Sequence, residues 1–311
     1  MRAFVFPGQG SQKVGMGREL AEASVAAREV FEEIDDALGQ KLFRLMTQGP
    51  EADLLLTENA QPAIMAHAIA VLRVIMKEGG IALPDKADFV AGHSLGEYSA
   101  LCASGAFSLA DTARLLKLRG QAMQAAVPVG VGAMAVLLGA DLDKASALAE
   151  AAAQGEICTV ANDNDPGQVV LSGHAEAIGR ACAMVKDFGI KRGMVLPVSA
   201  PFHCALMEPA ADAMAHALDR TPPGPLQIAL FANVTAAVVT DRAAVKRLLV
   251  KQVTGRVRWR ETAMAMQEAG VERVVELGAK VLGPMITRSA PDVAVVSVVG
   301  MSDIEALIKE L

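Results

Sequence analysis

Asp88-Phe89-Val90-Ala91-Gly92-His93-Ser94-Leu95-Gly96 begins as an apolar run and ends on two glycines with a serine between them. Residues 88–91 have the length and composition of a buried strand, and a helix-compatible run continues from Gly96 to Ala103. Between them, Gly92-His93-Ser94-Leu95-Gly96 fits G-x-S-x-G, in which a strand turns sharply into a helix and leaves a serine exposed at the tip. Glycine at both ends removes the Cβ atoms that would collide in so tight a turn. The five-residue pattern by itself turns up by chance in on the order of one chain in ten of this length. Its weight comes from the strand before it and the helix after it; without them it reads as an ordinary glycine-rich turn.

Further strands and helices extend outward from this turn. Ala3–Phe6 reads as a short buried strand that breaks at Pro7-Gly8-Gln9-Gly10-Ser11-Gln12, and helical patterns follow, notably over residues 59–78 and 109–126. Strands separated by helices predict a mostly parallel α/β sheet. The middle of the chain differs. Strand-like 133–138, helical 141–154, two strand-like runs at 156–161 and 168–172 around the turn-rich Asn162-Asp163-Asn164-Asp165-Pro166-Gly167, helical 175–188 and strand-like 192–198 follow in order. That is β-α-β-β-α-β, the order of a ferredoxin-like unit. With hinges at Gly130, Gly132 and residues 197–201, residues 128–197 are expected to form an inserted subdomain, and residues 1–127 with 198–311 the main domain. The main domain resumes with a helix after His203, strands near 228–232, 273–277 and 293–298, and a last helix at 302–311.

Composition narrows the function. The chain has 311 residues, 52% of them hydrophobic, enough for a large core plus an inserted unit or for two modest domains. A net charge of −6 argues against a nucleic-acid binder, whose partner demands a basic face. Residues 1–10 lack the pattern of a secretory signal, and the uncharged run 221–240 carries Pro222, Pro223, Pro225, Gln227 and Asn233, which a membrane span tolerates poorly. No membrane association is expected. The four cysteines have neither metal-ligand spacing nor a CxxC pair, so no metal site and a reducing, cytoplasmic setting are expected. The loop at Gly8–Gln12 departs from G-x-G-x-x-G at Lys13, which argues against a dinucleotide site.

A nucleophilic serine needs a base, normally histidine. Of five histidines, His67 and His216 lie in apolar helical patterns and read as packing residues, His93 is directed away by the geometry of the turn, and His174 reads as a helix cap. His203 lies in a loop between a strand and a helix and follows Ser94 in chain order, as this fold type requires. Acyl transfer also needs amide donors for an oxyanion; the N–H groups of Leu95, just after the serine, and of Gln9, at another strand end, suit that task. Arg119 falls inside the apolar arc made by Leu115, Leu116, Leu118, Ala122 and Met123. A buried guanidinium needs a carboxylate, and two sources stay open: an internal Asp or Glu, or a ligand.

The motifs together resemble the malonyl-CoA:acyl carrier protein transacylases and related acyltransferase domains. The resemblance is carried by Phe6–Gln12, Thr57–Ala63, Gly92–Tyr98, Arg119–Met123, Asn162, Ala200–His203 and Gln252, in family order from the first strand to the final helix. It implies an α/β-hydrolase-like large domain with a ferredoxin-like insert. It also implies Ser94 as nucleophile, His203 as base, Gln9 and Leu95 as oxyanion donors, and Arg119 on the malonyl carboxylate. Gln61, Asn162 and Phe202 are implied for the pocket wall; some bacterial relatives carry a small residue at the position of Phe202. The main-chain carbonyl of Gln252, in place of an acid, is implied to orient His203. The reaction implied is ping-pong transfer from malonyl-CoA to an acidic acyl carrier protein, without a cofactor, serving fatty acid or polyketide synthesis. A serine hydrolase and a silent carrier-protein scaffold are the rival readings. Arg242, Lys246, Arg247, Lys251, Arg256, Arg258 and Arg260 follow one another with no acidic residue between, and Lys186, Lys191 and Arg192 add to them. They are expected to form a basic rim for the carrier protein, or else a solvated helix face.

Overall fold

The computed structural model describes residues 1–311. Ten strands, β1 Arg2–Phe6, β2 Phe89–Gly92, β3 Gly132–Leu138, β4 Cys158–Asp165, β5 Gln168–His174, β6 Arg192–Val195, β7 Ala229–Ala232, β8 Ala237–Val239, β9 Arg273–Leu277 and β10 Ala294–Val298, make two sheets. The first has the order β10-β9-β1-β2-β7-β8 and is parallel except for β8, which runs antiparallel beside β7. Its inner strands are apolar on both faces because both faces are covered. Phe4, Phe6, Val90, Leu230 and Val275 point into a core of 59 buried residues, whereas Ala3, Val5, Ala91, Phe231 and Val274 point into a separate one of 14. The alternation follows from the two-residue repeat of a strand.

Helix Thr57–Glu78 runs through the larger core. It is the one helix long and apolar enough to cross a membrane by length and composition, and 89% of its most apolar window is buried within the protein. The second sheet, order β4-β5-β3-β6, is antiparallel throughout. Helices Leu142–Ala153 and Ala175–Met184 cover it, and Leu137, Leu148, Val169, Leu171 and Ile178 belong to a core of its own.

The stretch Asn162–Asp165 departs from the turn that its composition predicts. β4 continues to Asp165, with bulges on either side of Asn162 and Asp163, and only Pro166 and Gly167 remain between β4 and β5. Asn, Asp and Gly favour turns because their side chains bond to nearby backbone. Asp165 does accept the Gly167 N–H at 2.9 Å, but distant partners hold the rest of the stretch extended. The Asp163 N–H donates to the Val257 carbonyl at 3.0 Å, Arg260 pairs with the Asp163 carboxylate at 2.9 Å, and Arg288 pairs with Asp165 at 2.6 Å. Both carboxylates are buried and could not remain charged there unpaired. The far edge of the small sheet is thereby bound to the large unit.

Candidate active site

Strands β1 and β2 are in register, with Phe6 opposite Gly92. Three residues beyond each lie Gln9 and Leu95, in the loops that leave the same end of these paired strands. Ser94 sits at the turn with φ 54°, a left-handed conformation that a side chain disfavours by about 1–2 kcal/mol. Asn233, at the end of the neighbouring strand β7, holds the turn in place. Its Oδ1 accepts from the Ser94 N–H at 2.8 Å and its Nδ2 donates to the Gly92 carbonyl at 2.6 Å. The helix Gly96–Ala103 leaves so close to β1 that a Cβ on Gly96 would lie 2.2 Å from the Phe6 carbonyl oxygen.

His203, also left-handed at φ 59°, meets the serine from the other side. Its Nδ1 lies 2.8 Å from the Gln252 carbonyl oxygen, which can only accept, so the proton is on Nδ1. Nε2 is then free to accept the Ser94 hydroxyl proton, at 2.7 Å. Burial, reinforced by the charge of Arg119, lowers the His203 pKa to about 3, so the imidazole is neutral at ordinary pH. A main-chain carbonyl does the orienting that a carboxylate does in a Ser-His-Asp triad.

Arg119 lies on helix Leu109–Ala125, which approaches the start of helix Thr57–Glu78 at Gly120, where a Cβ would be 2.5 Å from the Glu58 Cα. The guanidinium is 1% exposed. It donates to Gln61 Oε1 at 2.7 Å, Ser94 Oγ at 3.2 Å and Gln252 Oε1 at 3.0 Å, and its Nε–H is buried without a partner. All three acceptors are neutral. No carboxylate contacts it directly; the nearest internal acid in this network, Glu97, is separated from it by the Gln252 amide.

The structure brings together Ser94, His203, Arg119, Gln61 and Gln252 through these bonds. The N–H groups of Gln9 and Leu95 donate to no protein acceptor, while the Gln9 side chain accepts from Thr57 Oγ1 at 2.9 Å. Phe202 is buried in the large core beside His203. Asn162 has no hydrogen bond to this cluster; its Nδ2 is 3.4 Å from Nε2 of His93, which also lies 2.9 Å from Asn164 Oδ1 behind the turn. His67 Nδ1 is buried against the Gly278 carbonyl at 3.0 Å. Two histidines differ from expectation. His216 is exposed, because its position falls on the outer face of helix Glu208–Arg220. His174 takes the N-cap position of its helix but its side chain makes no capping bond; its Nδ1 accepts the Ile157 N–H at 2.9 Å, just before β4. Two site residues carry no local sequence signal of function. Asn233 lies in the uncharged run 221–240, and Glu97 is an acid in the first turn of an otherwise apolar helix, where it is fully buried.

A family model described as the acyl transferase domain matches residues 3–302. The chain is 43% identical over 276 residues to the malonyl CoA-acyl carrier protein transacylase of Escherichia coli strain K12, spanning 89% of this chain and 88% of that protein. Its backbone is similar to the crystal structure of an acyl-carrier-protein S-malonyltransferase from Bartonella henselae, with TM-score 0.96, 50% identity and coverage of 99% and 98%. It is also similar to a malonyl-transacylase solved in complex with a type II PKS acyl-carrier protein, with TM-score 0.95, 40% identity and coverage of 100% and 99%.

Proposed function

The chain belongs to the acyl transferase domain family, and from that premise we propose that it moves a malonyl group from malonyl-CoA to the phosphopantetheine thiol of an acyl carrier protein, through an ester on Ser94. The Ser94 oxygen attacks the thioester carbonyl as its proton passes to His203 Nε2. The oxyanion accepts hydrogen bonds from the Gln9 and Leu95 amides, which act there without reorganising. The C–S bond then breaks, and His203 returns the proton to the departing CoA sulfur. In the second half, the carrier thiol gives its proton to His203 and attacks the ester, and Ser94 leaves with that proton. The sequence of steps needs no cofactor.

One observation carries the assignment to malonyl. Arg119 is buried, unpaired with any protein carboxylate, and hydrogen-bonded to the nucleophilic oxygen itself. Burial lowers its pKa, yet a guanidinium stays charged in such a site. A carboxylated acyl group on Ser94 supplies a carboxylate that can contact the guanidinium directly. The test is intact mass after incubation with malonyl-CoA or acetyl-CoA. A covalent malonyl adduct that is absent in Ser94→Ala and disappears on adding carrier protein is expected; no adduct with native protein overturns the reading.

The same proposal includes the finer architecture. Residues 1–127 and 198–311 are read as an α/β-hydrolase-like domain, supported by the parallel order of the large sheet and the strand-turn-helix at Ser94. Residues 128–197 are read as a ferredoxin-like subdomain, supported by the antiparallel order β4-β5-β3-β6. Gln61 and Phe202 are assigned to the acyl pocket. Asn162 is likewise assigned to the pocket wall, a reading supported by its Oδ1, which is buried without a protein partner. A cytoplasmic setting accords with four free thiols. The basic rim narrows: Lys246, Arg256, Arg258 and Arg260 are paired with Asp219, Glu261, Glu261 and Asp163, which leaves Arg242, Arg247 and Lys251 exposed and unpaired on helix Arg242–Thr254. An acidic carrier docking there approaches the helix that holds Gln252. The pathway served is fatty acid or polyketide synthesis.

A further inference from the structure

Glu97 is the buried acid hydrogen-bonded into the Ser94 cluster, and the reaction as written does not use it. It follows Ser94 by one helical turn, and its Oε2 accepts from Gln252 Nε2 at 2.6 Å and lies 3.4 Å from the Asn233 N–H. Gln252 is fully buried and links it to the catalytic groups. Gln252 Oε1 accepts from Arg119 at 3.0 Å, its Nε2 also reaches the Ser94 carbonyl at 3.0 Å, and its main-chain carbonyl accepts from His203. The guanidinium and the carboxylate are thus opposite charges separated by one amide. We infer that Glu97 is a positioning residue, the resting counter-charge of Arg119, and that it takes up a proton from solvent when the carboxylate of the incoming acyl group occupies Arg119. The inference rests on the assignment of Arg119 to that carboxylate.

The physical reason is a count of charges. In the empty site one cation faces one buried anion. A malonyl group adds a second anion against the same cation, in surroundings where an uncompensated charge is costly. Either the ligand is repelled or Glu97 becomes neutral, and a buried carboxyl gives way most readily. Burial already raises the Glu97 pKa to about 7, against the lowering effects of Gln252, Asn233 and Arg119, so the proton is available near neutrality. The neighbouring elements add little competition. Tyr98 on the same helix stays neutral, its pKa raised by burial. Strands β1, β2 and β7 present apolar residues, and Arg73 and Glu33 act at the far end of the helix, on Cys102. His203 is neutral throughout the range concerned.

The sign follows from linkage. Below about pH 7 Glu97 is already protonated and malonyl binding takes up nothing. Above it, malonyl binding must draw a proton in, so the preference for malonyl falls as pH rises, approaching about tenfold per pH unit. Acetyl-CoA has the same CoA phosphates and thiol but no acyl carboxylate, and so serves as the internal control. The experiment is single-turnover acylation of Ser94 by malonyl-CoA and by acetyl-CoA between pH 6 and pH 9, in native protein and in Glu97→Gln. The native malonyl-to-acetyl ratio is expected to fall above about pH 7, and the Glu97→Gln ratio to be flat. A flat native ratio, or an undiminished slope in Glu97→Gln, overturns the inference. If Glu97→Gln does not fold, calorimetry of native protein at pH 8.5 in two buffers of different ionisation enthalpy decides. About one proton taken up per malonyl and none per acetyl supports the inference, and equal uptake overturns it. Absence of any malonyl adduct, or an unchanged ratio in Arg119→Ala, defeats the underlying transfer or arginine assignment instead.

Discussion

The turn at Ser94 and the end of β4 at Asn162–Asp165 are both short polar stretches pressed against apolar layers, and they are held there by opposite means. The turn is held by backbone. Glycines permit a close approach to β1, a residue with positive φ points the hydroxyl outward, and the Asn233 side chain braces the Gly92 carbonyl and the Ser94 N–H. The β4 end is held by side-chain charge, with each carboxylate paired to an arginine about a hundred residues away in the chain. A segment whose path is set by its own glycines can be read locally, although the distant Asn233 that braces it cannot. One fixed by distant partners is misread by every local rule, as the turn composition of Asn162–Asp165 is. The two also differ in what they do: the first presents the proposed nucleophile, and the second joins one sheet to another.

Removing the reactive atoms should have the largest effect and leave the β4 junction untouched. Ser94→Ala is expected to abolish acyl-enzyme formation, a loss of at least about 10⁴-fold, measured by intact mass and single-turnover rates. His203→Ala is expected to slow acylation by about 10²–10⁴-fold with an unchanged circular-dichroism spectrum. In native protein the His203 pKa of about 3 means that acylation by acetyl-CoA shows no step near 6.5, the usual imidazole value. The same lowering makes the fold lose stability as pH falls from about 6.5 towards 3, since the unfolded chain takes the proton first. A rate step near 6.5 would place the base elsewhere.

Next comes the charge between the two regimes. Arg119→Ala is expected to cut the malonyl-to-acetyl ratio by roughly 10–100-fold, the worth of one charge-assisted hydrogen-bonded contact at about 1.5–3 kcal/mol. An unchanged ratio sinks its assignment. Its burial was legible because a helix repeats every 3.6 residues and Arg119 falls inside an apolar arc. Its lack of a directly bonded carboxylate was not, because that depends on what the sheet order sets beside it. The same limit hid Asn233 and Glu97. Strand β7 lies next to β2 only once the sheet order is known, and an acid after G-x-S-x-G reads as an ordinary first-turn residue favoured by the helix dipole. The role of the Gln252 carbonyl was accessible through family resemblance alone, since a main-chain acceptor leaves no trace in residue type. His216 fell on the exposed side because apolar neighbours in sequence do not fix a helix face to within one residue.

The β4 junction can be broken separately. Asp163→Ala removes a buried carboxylate but leaves Arg260 able to reach solvent, so the expected loss is about 1–3 kcal/mol of unfolding free energy by urea titration. Single-turnover acylation at 25 °C should stay within roughly twofold of native, because no Asp163 atom bonds to the Ser94 cluster. A large drop in acylation with little change in stability would mean that the junction shapes the site and that the contrast between the two regions is false.

The smallest effect belongs to the exposed charges, and it separates free cations from paired ones on one segment. Arg242, Arg247 and Lys251 are exposed and unpaired on helix Arg242–Thr254, whereas Lys246 nearby is paired with Asp219, and Arg256 shares Glu261 with Arg258. A solvated rim charge is worth up to about 1 kcal/mol, so Arg247→Glu or Lys251→Glu should raise the KM for carrier protein by roughly fivefold. Serine acylation by malonyl-CoA should be spared. Lys246→Ala should do little to carrier affinity, since its charge is already compensated. Salt gives an independent check. Between about 0.1 M and 1 M the screening length falls from about 10 Å to about 3 Å, so transfer to carrier protein should weaken while transfer to free pantetheine holds. Equal salt sensitivity for the two acceptors, together with native KM values in Arg247→Glu and Lys251→Glu, would move the carrier to a different face of the protein.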